Sequence, residues 1–411
     1  MILDSVLEDR ICKGSLVVDL PNGSVLHYGN GNPEAHWHIH DASVLKKVAT
    51  DPEFMLGQTY MDGAWSSPSL ITLLEVLMRN FPDQPASWFR RLIVKLVKPL
   101  QQWNRIAASR RNVAHHYDLD ERLFRRFLDE DMQYSCAYWP RQDMTLEQAQ
   151  LAKKEHIRRK LLLSSGQRVL DIGCGWAGLA IFLAETCGVR VTGLTLSREQ
   201  YRVARERVKQ RGLEGLVDIR LEDYRENTET YDRVVSVGMF EHVGARNYDT
   251  YFRVVRERLT ENGVALIHTI GSSAPPGLTN PWIRRYIFPG GYIPTMSEAM
   301  AAVERQHLAS TDVEVLRMHY AFTLAQWQQR FQRARAEVAT EKDERFCRMW
   351  EFYLALSEAA FRWRDLVVFQ FQLARDKEAV PLRRGYLHRT PYDEVEESHA
   401  MQGQAAAERR A

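Results

Sequence analysis

Along the middle of the chain, short apolar runs alternate with stretches of helical periodicity. Val169, Leu170 and Ile172 form a partly β-branched run that reads as a buried strand. Gly173 and Gly175 interrupt it, and Leu179, Ala180, Leu183 and Ala184 then recur at helical spacing. The alternation repeats, with strands predicted over 189–194, 217–221, 231–237, 264–270 and 313–318. Helices are predicted over 197–211, 248–259, 323–339 and 344–364, and a last strand over 367–373, where Val, Phe, Phe and Leu alternate with other residues. Thr145 and Gln148 stand at capping-box spacing before a helix reaching about residue 163. Strand–helix alternation of this kind predicts an α/β fold with a doubly wound, mostly parallel sheet.

The first hundred residues follow another pattern. Runs at 16–19 and 24–28 flank Pro21-Asn22-Gly23 and predict a hairpin. The stretch 36–40, His-Trp-His-Ile-His, continues as a strand, so His36, His38 and His40 share one face. They read either as metal ligands or, more plainly, as half-exposed histidines beside a buried Trp37 and Ile39. Asp41 and Asp51 are placed to cap helices, and Asp62-Gly63 marks a turn. Between Trp88 and Arg111 seven basic residues (Arg90, Arg91, Lys95, Lys98, Arg105, Arg110, Arg111) lie among Trp88, Phe89, Leu92, Ile93, Leu96, Leu100 and Trp103, with no acid. Two readings stay open there: a helix lying in a membrane interface, or a core-packing helix with a solvated basic face. Pro99 is expected to end or kink it. A helical connector is expected over 116–130, and 395–411, polar and alanine-rich, reads as a frayed, disordered tail.

Composition narrows the class. The chain has 411 residues, 45% hydrophobic and 26% charged, with a formal net charge of +2. That is the profile of a globular protein of two or three domains, with no overall basic excess and no motif for reading nucleic acid. No apolar run reaches spanning length, and Asp4, Glu8 and Asp9 stand where a signal peptide is basic and then apolar. Five cysteines without a C-x-x-C suggest neither a disulfide framework nor a cysteine metal site, which fits a reducing cytoplasm.

The candidate chemistry lies at strand ends. Gly173, Gly175 and Gly178 satisfy G-x-G-x-x-G, but the strand at 189–194 is followed by Thr195-Leu196-Ser197, with no carboxylate for a ribose before Glu199. Asp171, two residues before Gly173, makes D-x-G-x-G instead, which resembles motif I of S-adenosylmethionine methyltransferases. In a doubly wound sheet ligands sit at the carboxyl ends of the strands. Asp171, Thr195, Asp223, Glu241 and His268 all fall at or just after such ends and are expected to converge on one crevice, with Glu241 and His268 as acid–base candidates. The glycine- and proline-rich stretch 280–294, with Trp282, Arg284, Arg285, Tyr286, Phe288 and Tyr292, suits either a lid or lipid contact, or a packed surface loop.

Taken together, the stretches 60–65, 133–139, 169–179, 192–200, 235–244 (V-S-V-G-M-F-E-H-V-G), 267–271 (I-H-T-I-G) and 353–365 resemble the cyclopropane-fatty-acyl-phospholipid synthases, relatives of the mycolic acid cyclopropane synthases. The resemblance implies a class I methyltransferase fold, Rossmann-like, with a small N-terminal α+β domain. It divides the chain into a lipid- or membrane-docking domain at 1–115, the connector at 116–130 and a methyltransferase domain at 131–394. It implies transfer of the S-adenosyl-L-methionine methyl carbon to a cis double bond of a phospholipid acyl chain, leaving a carbocation that loses a proton as the ring closes. A bound bicarbonate is the implied base, with Cys136, Glu241, His268, Ile270 and Tyr320 as its ligands. Donor positions map to Tyr134, Ser135, Asp171, Gly173, Gly175, Thr195, Gln200 and Asp223, with Thr195 and Gln200 in place of the missing ribose carboxylate. No metal is implied. The implied partners are a phospholipid surface, engaged peripherally on the inner face of the membrane, the unsaturated phospholipid itself and a second copy in a homodimer. The cysteine that some members carry before the last strand is Ser357 here, so a nucleophilic cysteine at that position is excluded, and Cys347 reads as packing.

Overall fold

The structure is a computed structural model, and residues 7–81 and 121–387 are described. The interfacial candidate at 88–111, the residues 116–120 of the connector and the tail at 395–411 lie outside them.

The chain opens with a small mixed sheet. Strands β1 (Ser15–Asp19), β2 (Val25–Gly29) and β3 (Glu34–Ile39) precede helices α1 (Ser43–Thr50) and α2 (Pro52–Met61), the short β4 (Trp65–Ser66) and α3 (Leu70–Asn80). The sheet order is β2-β1-β3-β4, and β1–β2 is the expected antiparallel hairpin. Alternation along β3 buries Ala35, Trp37 and Ile39 and leaves the histidines outward. His36 bonds Glu34, His38 bonds Asp19 and His40 bonds Ser66, so each is spent on its own neighbour. No cluster of metal-ligating side chains occurs among the described residues. Asp51 caps α2 through the Phe54 amide. Asp41 acts one position further out, accepting from the Ser43 amide while Ala42 takes the cap position.

Helices α4 (Glu121–Phe127) and α5 (Leu146–Leu161) lead into the main sheet, and α5 starts with the expected reciprocal Thr145–Gln148 capping box. Then follow β5 (Arg168–Ile172), α6 (Gly178–Cys187), β6 (Arg190–Thr195), α7 (Arg198–Gln210), β7 (Val217–Leu221), β8 (Tyr231–Val237), α8 (Tyr248–Arg258) and β9 (Leu259–Ser272). After α9 (Pro281–Tyr286) and α10 (Met296–Arg305) come β10 (Ala309–Val315), α11 (His319–Glu341), α12 (Glu344–Trp363) and β11 (Leu366–Ala374). The seven strands order as β10-β11-β9-β8-β5-β6-β7. Pairs β5–β6, β6–β7, β5–β8 and β8–β9 are parallel, whereas β11 runs antiparallel to both neighbours. Successive strands go one way from β5 to β7 and then the other way from β8 to β9, so the order reverses between β5 and β8. A ligand crevice opens at such a reversal.

The first sheet and the long helices share one core. Trp37, Trp65, Leu73, Trp282, Trp327, Trp350 and Phe352 all belong to it. Helix α2 approaches α12 through Gly57, where a Cβ would stand 2.6 Å from Phe352 and 2.7 Å from Trp282. Arg348 on α12 locks the contact, stacking over Tyr60 and donating to the Tyr60 and Trp65 carbonyls at 2.5 and 2.6 Å. The final strand is buried on both faces, which its alternation does not announce. Gln370 and Gln372 are fully covered, their amides bonding His268 and the Lys160 carbonyl. The stretch 280–294 is a packed segment carrying α9, with Trp282 and Tyr292 buried. All five cysteines are free thiols, and Cys347 is fully buried.

Candidate active site

The crevice between β5 and β8 holds a pocket lined by Gln133, Tyr134, Ser135, Asp171, Gly173, Gly175, Trp176, Thr195, Gln200, Asp223, Met239 and His242, among others. All eight positions expected for the donor line it. The turn after β5 forms because Gly173 and Gly175 take positive φ, 83° and 54°, and the Gly173 and Cys174 amides both donate to the Leu194 carbonyl at 2.9 Å. Gly178, the third glycine, serves close approach, since a Cβ there would run into Gln133 and Asp131. Thr195 Oγ1 donates to Gln200 Oε1 at 2.9 Å, so the two groups stand together after β6 where a dinucleotide fold carries a carboxylate. Asp223 is fully covered, and Arg225 grips both of its oxygens at 2.8 and 2.7 Å. Asp171 differs. It is buried, its Oδ2 has no protein partner, and burial raises its carboxyl to about 7 against the pull of Lys153.

Glu241 and His268 do not line this pocket; they stand beside it. The Gly238 amide, on the pocket wall, donates to the His268 carbonyl at 2.9 Å. The Ile270 amide donates to Glu241 Oε1 at 2.6 Å, while Oε2 is buried without a partner. Desolvation raises Glu241 to about 7, so near neutral pH it holds a proton about half the time. His268 pairs its Nδ1 with the Gln370 amide at 3.1 Å, and burial lowers it to about 3, which keeps the ring neutral. Cys136 is fully buried and its thiol is pushed up, so it stays protonated. The neighbouring Ala137 amide donates to Thr323 on α11 at 3.1 Å, one turn from Tyr320. Tyr320 packs against Trp327 and Phe361.

Between the two groups runs an aromatic wall. Tyr134 stacks on Trp327 at 5.1 Å and shares a 2.8 Å hydroxyl bond with Tyr353. Phe288 meets Tyr353 edge-on at 5.9 Å and His242 at 5.8 Å. The packed segment 280–294 therefore contributes directly, and its Tyr292 amide donates to the Glu241 carbonyl at 2.9 Å.

Two residues of this region escape motif reading. His242 lines the pocket, and desolvation lowers it to about 4. Lys153 is fully buried on α5, its Nζ donating to Gln133 Oε1 at 2.7 Å and Ser135 Oγ at 2.8 Å. Its signal in the sequence is the spacing Ala149, Lys153, Ile157, which puts a lysine on the apolar face of a capped helix.

Comparison with known proteins decides the lineage. The family model of mycolic acid cyclopropane synthetase matches residues 104–371. The chain belongs to that family. Cyclopropane-fatty-acyl-phospholipid synthase from Escherichia coli K12 is 41% identical over 352 residues, covering 85% of this chain and 90% of that protein. Tuberculostearic acid methyltransferase UfaA1 from Mycobacterium tuberculosis is 39% identical over 361 residues, 84% of each. Among solved structures, mycolic acid cyclopropane synthase CmaA1 complexed with SAH and CTAB is 34% identical with a TM-score of 0.61, covering 64% of this chain and 98% of that one. The protein is thus an enzyme of the S-adenosylmethionine-dependent methyltransferase class, with the class I fold. No described helix is long and apolar enough to cross a membrane.

Proposed function

We propose that the enzyme transfers the methyl carbon of S-adenosyl-L-methionine to a cis double bond of a phospholipid acyl chain and closes a cyclopropane ring. The observation that carries this reading is the buried, unpartnered Glu241 Oε2 standing beside the donor pocket, with no protein group to receive it. Such an atom costs stability unless something binds it.

The donor residues do the positioning. Asp171 Oδ2 is free to accept the donor's ammonium, and Thr195 with Gln200 offers hydroxyl and amide groups for the ribose. An alkene is a poor nucleophile, so holding it in line with the sulfonium supplies much of the rate. The Tyr134 face, fixed by Trp327 and Tyr353, is placed to stabilise positive charge on the chain by cation–π attraction.

Cys136, Glu241, His268, Ile270 and Tyr320 would hold bicarbonate. The donor set fits an oxyanion: Glu241, held near neutral pH partly protonated, can donate from Oε2, Tyr320 brings a hydroxyl, the Ile270 amide orients Glu241, and the protonated Cys136 thiol, which donates to the Ala137 carbonyl at 3.3 Å, adds no negative charge. Bound there, bicarbonate supplies a base for the proton that the transferred methyl must lose. The neutral His268 ring leaves that base uncompensated by a second cation.

The substrate is reached at a lipid surface. The basic, aromatic segment 88–111 docks the N-terminal domain on anionic phospholipid, at about 1 kcal/mol for each basic residue. The enzyme works as a homodimer, peripheral on the inner face of the membrane. Replacing Arg90, Arg91, Lys95 and Lys98 by Gln is expected to weaken binding to anionic vesicles and to leave donor affinity intact.

A second reading keeps the donor and ends in a methyl or methylene branch; the similarity to a tuberculostearic acid methyltransferase favours it. One experiment separates them. Incubation with unsaturated phospholipid vesicles and labelled donor, then mass spectrometry of the acyl chains, distinguishes a ring from a methylene branch of equal mass after hydrogenation. An unlabelled lipid fraction would sink both.

A further inference from the structure

Helix α5 turns an unusual face to the site. Its buried residues include Gln150, Lys153, His156 and Lys160, polar groups at turn-by-turn spacing. Each is partnered. Gln150 Nε2 donates to the Gln133 and Ser135 carbonyls at 3.2 and 3.0 Å, while His156 and Lys160 reach Glu314 at 2.5 and 2.6 Å. Lys153 stands apart because its two bonds are both to neutral acceptors, Gln133 Oε1 and Ser135 Oγ. A fully buried ammonium bonded only to neutral groups is expensive to keep.

Its surroundings show what that charge acts on. From the segment ahead of the pocket loop face Asp129 and Asp131; from α5 itself, Lys154; from the loop, Cys136; from β5, Asp171; and from β9, His268. Asp131 is already matched by Lys154 and Arg207. Asp129, buried, accepts the Gln133 amide at 2.8 Å and is the principal counter-charge of Lys153, which offsets part of the burial that raises Asp129. Asp171, with Cys174 as its other titratable neighbour, has Lys153 as the one cation acting on it among the described residues. Gln133, Ser135 and Asp171 all line the donor pocket.

We propose that Lys153 is a positioning residue for the donor: its ammonium holds Gln133 and Ser135 at the pocket wall and keeps Asp171 ionised to receive the donor's own ammonium. The inference rests on reading that pocket as the donor site. Burial lowers Lys153 to about 8, so it remains charged through the range in which Asp171, near 7, takes up a proton. Removing the charge lets desolvation carry Asp171 further upward, and donor binding then fails at a higher pH.

The test is calorimetric titration of the full chain with S-adenosylhomocysteine between pH 6 and 8. In the unmodified enzyme, affinity is expected to fall on acidification below pH 7, approaching tenfold per unit. Asp171→Asn is expected to remove that acid limb. Lys153→Met is expected to weaken binding at pH 7 by about tenfold or more and to move the limb up by about one unit, the effect of removing a nearby charge at intermediate dielectric. Lys153→Arg restores both. Lys153→Gln keeps an amide donor without the charge; it is expected to show the same displaced limb and carries the test if the methionine variant does not fold. A pH-independent weakening in Lys153→Met and Lys153→Gln, or a limb left in place, overturns the proposal. An acid limb that survives in Asp171→Asn overturns instead the assignment of Asp171 to the donor.

Discussion

The donor pocket and the Glu241 group lie side by side but are built in opposite ways. The strand-end side of the pocket is assembled from short-range turns: Thr195 bonds Gln200, Asp223 bonds Arg225, and the glycine turn closes on the end of the adjacent strand. The second group is assembled across the chain, by Ala137 with Thr323, Glu241 with Ile270, and His268 with Gln370. Each region keeps one buried carboxyl oxygen without a protein partner, Asp171 Oδ2 in the pocket and Glu241 Oε2 in the second group, but the pocket also holds a carboxylate, Asp223, matched at both oxygens by Arg225 two residues away. Local turns supply rigid donors and acceptors for a ligand of fixed shape. Long-range packing takes the second group out of water, and desolvation is what shifts the acidity of Glu241 and His268, as it shifts that of Asp171 in the pocket.

The sharpest way to separate the two regions is Glu241→Gln. If the groups do different work, turnover falls by about 10²–10⁴-fold, the range for a lost acid–base function, while S-adenosylhomocysteine affinity stays near normal. Appreciable remaining turnover would contradict the role given to Glu241.

Gly178→Val strikes the other region. The added side chain meets Gln133 and Asp131, so the loop must retreat from α6. Donor affinity is expected to drop about 100-fold, a penalty in the range of an overpacked core site, with the acidity of Glu241 unchanged. Calorimetry with S-adenosylhomocysteine checks it.

The desolvated second group also has a stability signature. Glu241 sits at about 7 in the folded state, above the ordinary value of 4.5, so the folded chain binds more protons between those limits. Its contribution to stability therefore grows as pH falls from 7 toward 4.5 and is lost as pH rises through 7. His268, lowered to about 3, works against it, because the unfolded chain takes up that proton first below pH 6.5. Glu241→Gln removes the first contribution and leaves the second. Between pH 7 and 5 the variant is expected to lose up to about 2 kcal/mol relative to the parent, measured by urea unfolding at each pH. Parallel pH curves would show that burial does not shift Glu241.

The mildest probe is Thr195→Val. Losing one hydroxyl among several donor contacts should weaken S-adenosylhomocysteine binding by about tenfold or less and leave the pH curves of the Glu241 group untouched.

The alternation of strand and helix, the capping box at Thr145 and the glycine turn at 173–178 were legible because each depends on residues within a few positions of one another. The strand ends carrying Asp171, Thr195 and Asp223 followed from that alternation, since a doubly wound sheet gathers its carboxyl ends into one crevice. The alternating final strand was recognisable as a strand, but not that both faces are covered and that Gln370 serves His268. The spacing of Lys153 with Ala149 and Ile157 puts it on the apolar face of its helix, but only packing shows that its ammonium is fully enclosed. The stretch 280–294 allowed a lid or a packed loop, and burial of Trp282 decided for packing. The sequence by itself determined where the chain turns, that strands and helices alternate into a mostly parallel sheet, and that a ligand would enter at the strands' carboxyl ends, whereas the order of the strands came from the structure. Only the tertiary structure decided which charges lie out of water, because desolvation is a property of everything packed around a group and is written in no single stretch of the chain.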